Sequence, residues 1–359
     1  MPETDEGADK IELLCIGNAM VDAFAPADAL WLKGLGITEP AQHVPREQAA
    51  RMLEHLRGGA PGELALASGG AAANVAKVAA MLGMRAAFAG CAGGDDLGAF
   101  FEGELRGAGV VPLLKRGEDA TGVCLVFGGG SSARVAGSLG AAAEFGEDDV
   151  REDLIARADA VVLDGFMLDR RPLAQKILRL ASRNGIPIAL DAASVFQIKE
   201  KTEAILQYSR SYPMIIFMNA DESIEFYNII KKSADAGEDV RSMSEREKEA
   251  YILKEVCPVL KCMTEADIFP VVVIKLGGRG AVVLAGGNIH RAGTFAIIPR
   301  NTVGAGDAFC AAFLSAWIRG KPIRECAALG NKVAWEVLMV PGTNVEKERL
   351  ASFAKQLRG

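Results

Sequence analysis

This chain has little of what a nucleic-acid binder, a secreted scaffold or a membrane protein needs. Its 359 residues carry 40 Lys and Arg against 46 Asp and Glu, a formal net charge of −6, so there is no basic excess to neutralise a phosphate backbone. The three histidines, His43, His55 and His290, have no spacing to one another or to a cysteine that suits a zinc site or a His-based triad. Seven cysteines without a CxxC pair argue against a disulfide framework and read as buried, reduced thiols. The longest uncharged apolar run, Ala308 to Ile318, falls short of the about 20 residues that span a bilayer. The N-terminal MPETDEGADK is acidic and polar, where a secretory leader is basic and then apolar. These absences predict a cytoplasmic globular protein without nucleic-acid or membrane partners. No GxxxxGK[ST] occurs, which removes a P-loop, and no GxGxxG follows the first expected strand, which ranks a dinucleotide-dependent dehydrogenase last.

What is present suits an α/β protein. With 50% hydrophobic residues the chain can bury one large core, or one core with a smaller appended unit. Continuous apolar runs end on polar residues: Ala160 to Leu163 at Asp164, Ile186 to Leu190 at Asp191, Met214 to Met218 at Asn219, and Val271 to Ile274 at Lys275. Unbroken runs of this kind fit parallel strands covered on both faces. The intervening segments read as helices, one opening at Pro172 and closing at Gly185. The pattern predicts a doubly wound, mostly parallel sheet flanked by helices, with polar residues at the strand ends where such sheets bind ligands. Leu13 to Ile16 reads as a core strand. Segments near 18–45, 110–116 and 121–138 read as short extended pieces with sparse apolar residues, which predicts a small sheet over the crevice. Residues 1–359 are taken as a single domain. The polar stretch from Lys231 to Glu249 reads as a solvated surface insertion, with Ser244 and Glu247 as a capping box for the next helix.

The chemistry concentrates late in the chain. Asn301-Thr302-Val303-Gly304-Ala305-Gly306-Asp307-Ala308-Phe309 runs straight into the apolar segment. Its glycines permit a turn whose N–H groups converge at a helix N-terminus, a favourable place for an anion. Asp307 would be repelled by a phosphate bound there, so its task is a different one: taking the proton of a hydroxyl that attacks phosphorus. The bland alternative is a glycine-rich turn with a helix-capping aspartate.

That stretch resembles the C-terminal signature of the ribokinase-like (PfkB) family of carbohydrate and nucleoside kinases. Ser68 to Gly83, SGGAAANVAKVAAMLG, and Gly90 to Gly98, GCAGGDDLG, are similar to that family's N-terminal sugar-binding segment and first signature. Within it the chain looks most similar to the adenosine kinase-like branch, on Gly17 to Asp22, Arg134 to Ala143, Gly165-Phe166-Met167 and Asp191 to Phe196. The resemblance implies a ribokinase-like fold with a small β-sheet lid, and ATP and Mg²⁺ as cofactors. It implies Asp307 as base beside the Gly304, Ala305 and Gly306 amides, and Asn18, Asp22, Gly69, Gly70 and Asn74 as acceptor contacts. Arg134 would neutralise phosphate from the lid, and Phe166 and Phe196 would sandwich a purine. Asn219 and Glu222 would hold the magnesium-bound triphosphate through water, with Lys275, Gly277, Gly280 and Asn331 along the nucleotide. Two positions depart from the pattern: Lys275 stands where threonine is usual, and Asn301 where aspartate is usual. The second weakens the K⁺ site that the family otherwise implies. The expected activity is ATP-dependent phosphorylation of a primary hydroxyl on a ribosyl acceptor, adenosine or a related nucleoside favoured. A free sugar such as ribose or fructose is the close alternative, and a non-catalytic ligand-binding protein the alternative of another class. A monomer or a homodimer fits either.

Overall fold

The computed structural model describes residues 10–358 except 26–28, 39–40, 59–63, 129–133, 233–241, 296–302, 341–344 and 346. Fourteen strands among them divide between two sheets. In chain order they are β1 Leu13–Ile16, β2 Met20–Ala25, β3 Ala41–His43, β4 Ala65–Gly69, β5 Ala86–Gly93, β6 Val111–Gly117, β7 Gly122–Phe127, β8 Arg134–Ser138, β9 Val161–Asp164, β10 Ile188–Asp191, β11 Met214–Asn219, β12 Val271–Lys275, β13 Ala281–Ala285 and β14 Asn288–Ala292.

The large sheet runs β14-β13-β12-β11-β10-β9-β1-β5-β6. From β12 to β6 every pairing is parallel, and β13 and β14 close one edge antiparallel. The apolar runs behave as their lack of alternation predicts: β1, β9 and β10 are buried at every residue. One face packs under helices Ala71–Met81, Ala305–Ile318 and Ile323–Leu338, the other under helices that include Arg171–Arg183 and Val195–Ser211. From β1 the chain builds outward through β5 and β6, then returns to lay β9 on the opposite side of β1. That reversal is a topological switch point, the place in such sheets where a crevice opens.

The small sheet runs β3-β8-β7-β2-β4. Its composition corrects one expectation. Segment 110–116 is not part of it, because β6 pairs parallel with β5 at the far edge of the large sheet, and β4 takes the vacant place antiparallel to β2. An edge strand is covered on fewer sides than a central one, so β6 is mostly half-buried or exposed and has the sparse apolar content of a lid strand. One face of the small sheet carries its own core, in which Leu32, Met52 and Leu53 of helices Ala29–Gly34 and Arg46–Arg57 cover Ala23, Leu125, Phe127 and Ala136. Asp22 and Cys124, register partners one residue out of step with Ala23 and Leu125, project from the opposite face.

Candidate active site

Four neighbouring strands end on polar side chains, Asp164 on β9, Asp191 on β10, Asn219 on β11 and Lys275 on β12. Asp164 lies opposite Asp191, and Asn219 opposite Lys275, in the strand register; Asp191 lies opposite Phe217, so the second pair stands two residues beyond the first. The turn after β10 is tightly specified: Ala193 has φ 67° and donates its N–H to Asp191 Oδ1 at 3.0 Å. Such backbone strain in a non-glycine residue is concentrated at functional sites.

Two helix N-termini point into the same crevice. The Ala305–Ile318 helix is entered through Gly304 in the left-handed region (φ 80°), and the Ala71–Met81 helix through Gly70 (φ 89°). Both positions require glycine for conformation, and at Gly70 a β-carbon would also overlap the main-chain carbonyl of Asn18. Helix geometry leaves the N–H groups of Ala305, Gly306 and Asp307 without carbonyl partners inside the helix. The two helices pack against each other through small residues, Ala72, Ala73, Ala76, Ala308, Ala311 and Ala312 among them. Asn74 thereby reaches Asp307, its Nδ2 donating to Oδ2 at 2.9 Å. Asn74 Oδ1 is buried with no protein partner, as suits an acceptor of a ligand hydroxyl. Asp22 enters from the small sheet, and a β-carbon on Gly69 would overlap its carboxylate.

The electrostatics are dominated by buried acids. Burial pushes Asp307 up to about 6, reinforced by the Asp191 charge and opposed by the Asn74 hydrogen bond and the Lys275 and Lys77 cations. Burial likewise lifts Asp22 to about 7 against the pull of Lys77, and Asp164 to about 7 with help from Asp191 and Asp307. Carboxyls tuned toward neutrality are what a general base near pH 7 requires. On the other side, Lys275 Nζ pairs with Asp191 Oδ2 at 2.6 Å. Burial disfavours its charge, but Asp191 and Glu222 outweigh that and hold it above the ordinary lysine range. A β-carbon on Gly306 would lie 3.3 Å from Lys275 Nζ, so the residue that departs from the family pattern puts an ammonium at the mouth of the amide cradle.

Asn219 and Glu222 cap each other. The Glu222 carboxylate accepts from Asn219 N and Nδ2, each at 2.7 Å, and Asn219 Oδ1 accepts from Glu222 N at 2.9 Å. Burial lifts Glu222 to about 7. No cluster of three or more His, Cys, Asp or Glu able to hold a metal occurs among the described residues. Each Glu222 oxygen keeps a lone pair beyond the cap, a donor set that suits the water shell of a hydrated metal ion. Gly277 and Gly280 form a short 3₁₀ turn whose ends close through Leu276 N to Gly280 O at 2.7 Å. Asn331 spends its amide on the carbonyls of Ala292 and Gly293, at 2.9 and 3.1 Å, so it shapes the wall at the end of β14.

The insertion is a second correction. Its described C-terminal part, helix Glu245–Tyr251 behind the Ser244–Glu247 capping box, is docked as well as solvated. Glu249 is buried and holds both Arg279, at 2.6 Å, and Arg291, and Lys248 reaches Asp221 at 2.6 Å. The glycine turn thus has a neighbour that its own sequence does not announce.

Phe166 follows β9 and Phe196 opens the helix after β10; they are 42% and 66% exposed, on segments tied together by Gln197 Nε2 to Asp169 Oδ2 at 3.2 Å. Met167, between them in the sequence pattern, is fully buried, and its sulfur accepts from Arg170 Nη2 at 3.4 Å. Arg134 is engaged elsewhere: its guanidinium donates to the main-chain carbonyl of Thr38, away from the strand ends. Asn301 and Thr302 lie outside the described residues. Sequence reading passed over two cations. Lys77 was hidden in an alanine-rich helix, where a lone charge was the available signal. Arg170 donates to Asn18 Oδ1 at 2.6 Å and to the carbonyls of Ala142 and Phe145 at 2.6 and 3.1 Å, which turns the Asn18 amide nitrogen free for a ligand; nothing local marked it.

Residues 57–349 match the model of the pfkB family carbohydrate kinases. Adenosine kinase of Dictyostelium discoideum is 25% identical over 93% of this chain and 96% of its own length. A 5-dehydro-2-deoxygluconokinase of Bacillus anthracis is 26% identical over 74% of this chain and 78% of its own. Among solved structures, adenosine kinase from Sinorhizobium meliloti superposes with a TM-score of 0.80 at 26% identity, over 97% of this chain and 99% of that one.

Proposed function

The chain belongs to the PfkB family of carbohydrate kinases, and from that premise we propose that it transfers the γ-phosphate of ATP to a primary hydroxyl of a ribosyl acceptor, adenosine or a related nucleoside. The observation that carries this reading is the 2.9 Å hydrogen bond between Asn74 and Asp307, which sets the base beside an acceptor contact and one residue past the amides of Ala305 and Gly306. Asp22 accepts from two neighbouring hydroxyls, and the free nitrogen of Asn18 and orphan oxygen of Asn74 orient the ring. Asp307 then takes the proton of the attacking hydroxyl, while the helix amides and Lys275 stabilise charge on the transferring phosphoryl group. Bound Mg²⁺ would supply further neutralisation of the phosphates, its water held by Asn219 and Glu222. Gly277, Gly280 and the wall fixed by Asn331 are assigned to the nucleotide.

A nucleoside is favoured over a free sugar because two exposed aromatic rings, Phe166 and Phe196, follow the ends of the adjacent strands β9 and β10, and a flat base gains by stacking on such rings. The sugar reading draws its support from the similarity to a 5-dehydro-2-deoxygluconokinase. Measuring ADP release with Mg²⁺ across nucleosides and free sugars tests both. Turnover of ribose or fructose with none for any nucleoside overturns the acceptor assignment, and no turnover at all overturns the kinase reading.

A further inference from the structure

Lys77 sits in the Ala71–Met81 helix with only 4% of its surface exposed, on a stretch where Ala72 to Ala80 are all buried. A buried ammonium is expensive unless it is hydrogen-bonded and faces opposite charge. Lys77 satisfies both conditions. Two of its three N–H groups go to one residue, Ser68, reaching the carbonyl at 2.8 Å and Oγ at 2.7 Å. Ser68 is fully buried, immediately precedes Gly69 and Gly70, and lies opposite Val21 in the antiparallel β2–β4 pair. One residue further along β2 is Asp22. The carboxylates around the ammonium come from three directions: Asp22 on β2, Asp307 at the head of the Ala305–Ile318 helix, and Glu104 on the Asp96–Ala108 helix.

We propose that Lys77 is the positioning residue of the acceptor pocket: a buried counter-charge that pins the Ser68-Gly69-Gly70 floor to the large sheet's helix and favours the anionic form of Asp22 against its burial, so that both Asp22 oxygens accept from acceptor hydroxyls. This rests on the kinase reading above and deepens it. The physical need is plain from the neighbours. Asp22 is buried beneath Gly69, and Asp307 adds a like charge. Facing Asp22 on the favourable side are Lys77 and the Cys124 thiol from β7. Asp307 also faces Asp191 and Asp164, and is balanced by Asn74, Lys275 and Lys77. Lys275 is already paired with Asp191 at 2.6 Å and Arg170 is spent on Asn18 and two carbonyls, which leaves Lys77, among the described residues, as the cation that acts on both Asp22 and Asp307. A protonated Asp22 would turn one acceptor oxygen into a donor and lose its grip on a diol.

Lys77→Gln keeps an amide donor for Ser68 and removes the charge; Lys77→Arg keeps the charge. Profiles of kcat/KM for the acceptor from pH 5 to 9 separate the roles. In Lys77→Gln the acidic limb moves up by about one pH unit or more, seen as a roughly tenfold loss near pH 6.5 that recovers at higher pH. The change falls on acceptor KM with ATP KM unaltered, and Lys77→Arg restores the limb. A loss of equal size at every pH, or an unmoved limb, overturns the proposal and leaves Lys77 a packing residue. If Lys77→Gln does not fold, Lys77→Met combined with Asp22→Asn removes both charges: recovery of a cooperative melt supports the pairing, and failure to recover overturns it. A readout without turnover keeps the two claims apart. Burial holds folded Lys77 down to about 8, below its unfolded value, so the wild-type melting temperature rises relative to Lys77→Gln between about pH 8 and 10. Parallel melting curves count against Lys77 even when the kinase is active. An inactive wild type with diverging curves instead sinks the kinase reading while retaining the buried counter-charge.

Discussion

Asn74 Nδ2 donates to Asp307 Oδ2 at 2.9 Å across a sequence separation of 233 residues, joining the heads of two helices that approach from different parts of the chain. The bond engages one carboxylate oxygen; under the proposed function the other takes the substrate proton.

If that proton transfer is the task of Asp307, Asp307→Asn lowers kcat by about 10²–10⁴-fold with little change in either KM, because the isosteric amide keeps the packing. Steady-state kinetics at saturating ATP and acceptor provide the check. A variant within a few fold of wild type removes Asp307 as the base.

The pH dependence of activity follows from the same group. Asp307 titrates near 6 and Asp22 near 7 in the folded protein, and both must be ionised to work. Acceptor kcat/KM is therefore expected to climb from pH 5 and level off above about 8. A flat profile between pH 5 and 7 contradicts the assigned environments.

Asp164 makes a stability prediction of definite sign. Burial raises its folded value to about 7, above the unfolded value near 3.9, and Oδ1 has no protein partner. The folded state then binds more protons than the unfolded state between those values, so this group's contribution to stability falls as pH rises through that window. Asp164→Asn should gain on wild type from pH 5 to 8, by on the order of 2–4 kcal/mol, in urea melts. Parallel pH dependence of the two proteins would mean that Asp164 is paired in solution.

Lys275→Met strands Asp191 beside Glu222 and takes an ammonium away from the amide cradle. Removal of one partner from a buried ion pair costs about 3–5 kcal/mol, and the lost phosphate contact raises ATP KM or lowers kcat, with acceptor KM spared. Lys275→Thr, which restores the residue usual in the family, should keep more activity than Lys275→Met. Equal stability of Lys275→Met and wild type would show that the pair contributes nothing net.

Phe166→Ala and Phe196→Ala test the nucleoside assignment directly. Stacking of a base on an aromatic ring is worth about 1–3 kcal/mol by alanine substitution, so each should raise nucleoside KM about 5- to 150-fold. Ribose, having no base, serves as the control. If both variants bind nucleosides normally, the rings belong to another surface.

Much of the site was legible because it is local. Asp164, Asp191, Asn219 and Lys275 could be placed at strand ends since each closes an unbroken apolar run, and Gly304 could be assigned to a turn because only glycine enters a helix there at φ 80° without strain. Asn219 with Glu222, and Ser244 with Glu247, show a capping box in their spacing alone. Segment 110–116 was legible as extended, but the sheet it joins was not, since an edge of the large sheet and a strand of the small one share the same half-covered composition. The docked face of the insertion escaped for a similar reason: Glu249 in a run of charges looks solvated until Arg279 and Arg291 are brought to it.

Local order along the chain was enough to place many of the elements, the polar residues that end β9 to β12, and the helix head that carries Asp307, because hydrogen-bonding period, capping and turn chemistry depend on neighbours a few residues away. That Asn74 meets Asp307, that Lys77 is buried among Asp22, Glu104 and Asp307, and that Lys275 pairs with Asp191 came from the fold. Coulomb energy and desolvation depend on distances through space, and those distances exist only once the strands have taken their order in the sheet.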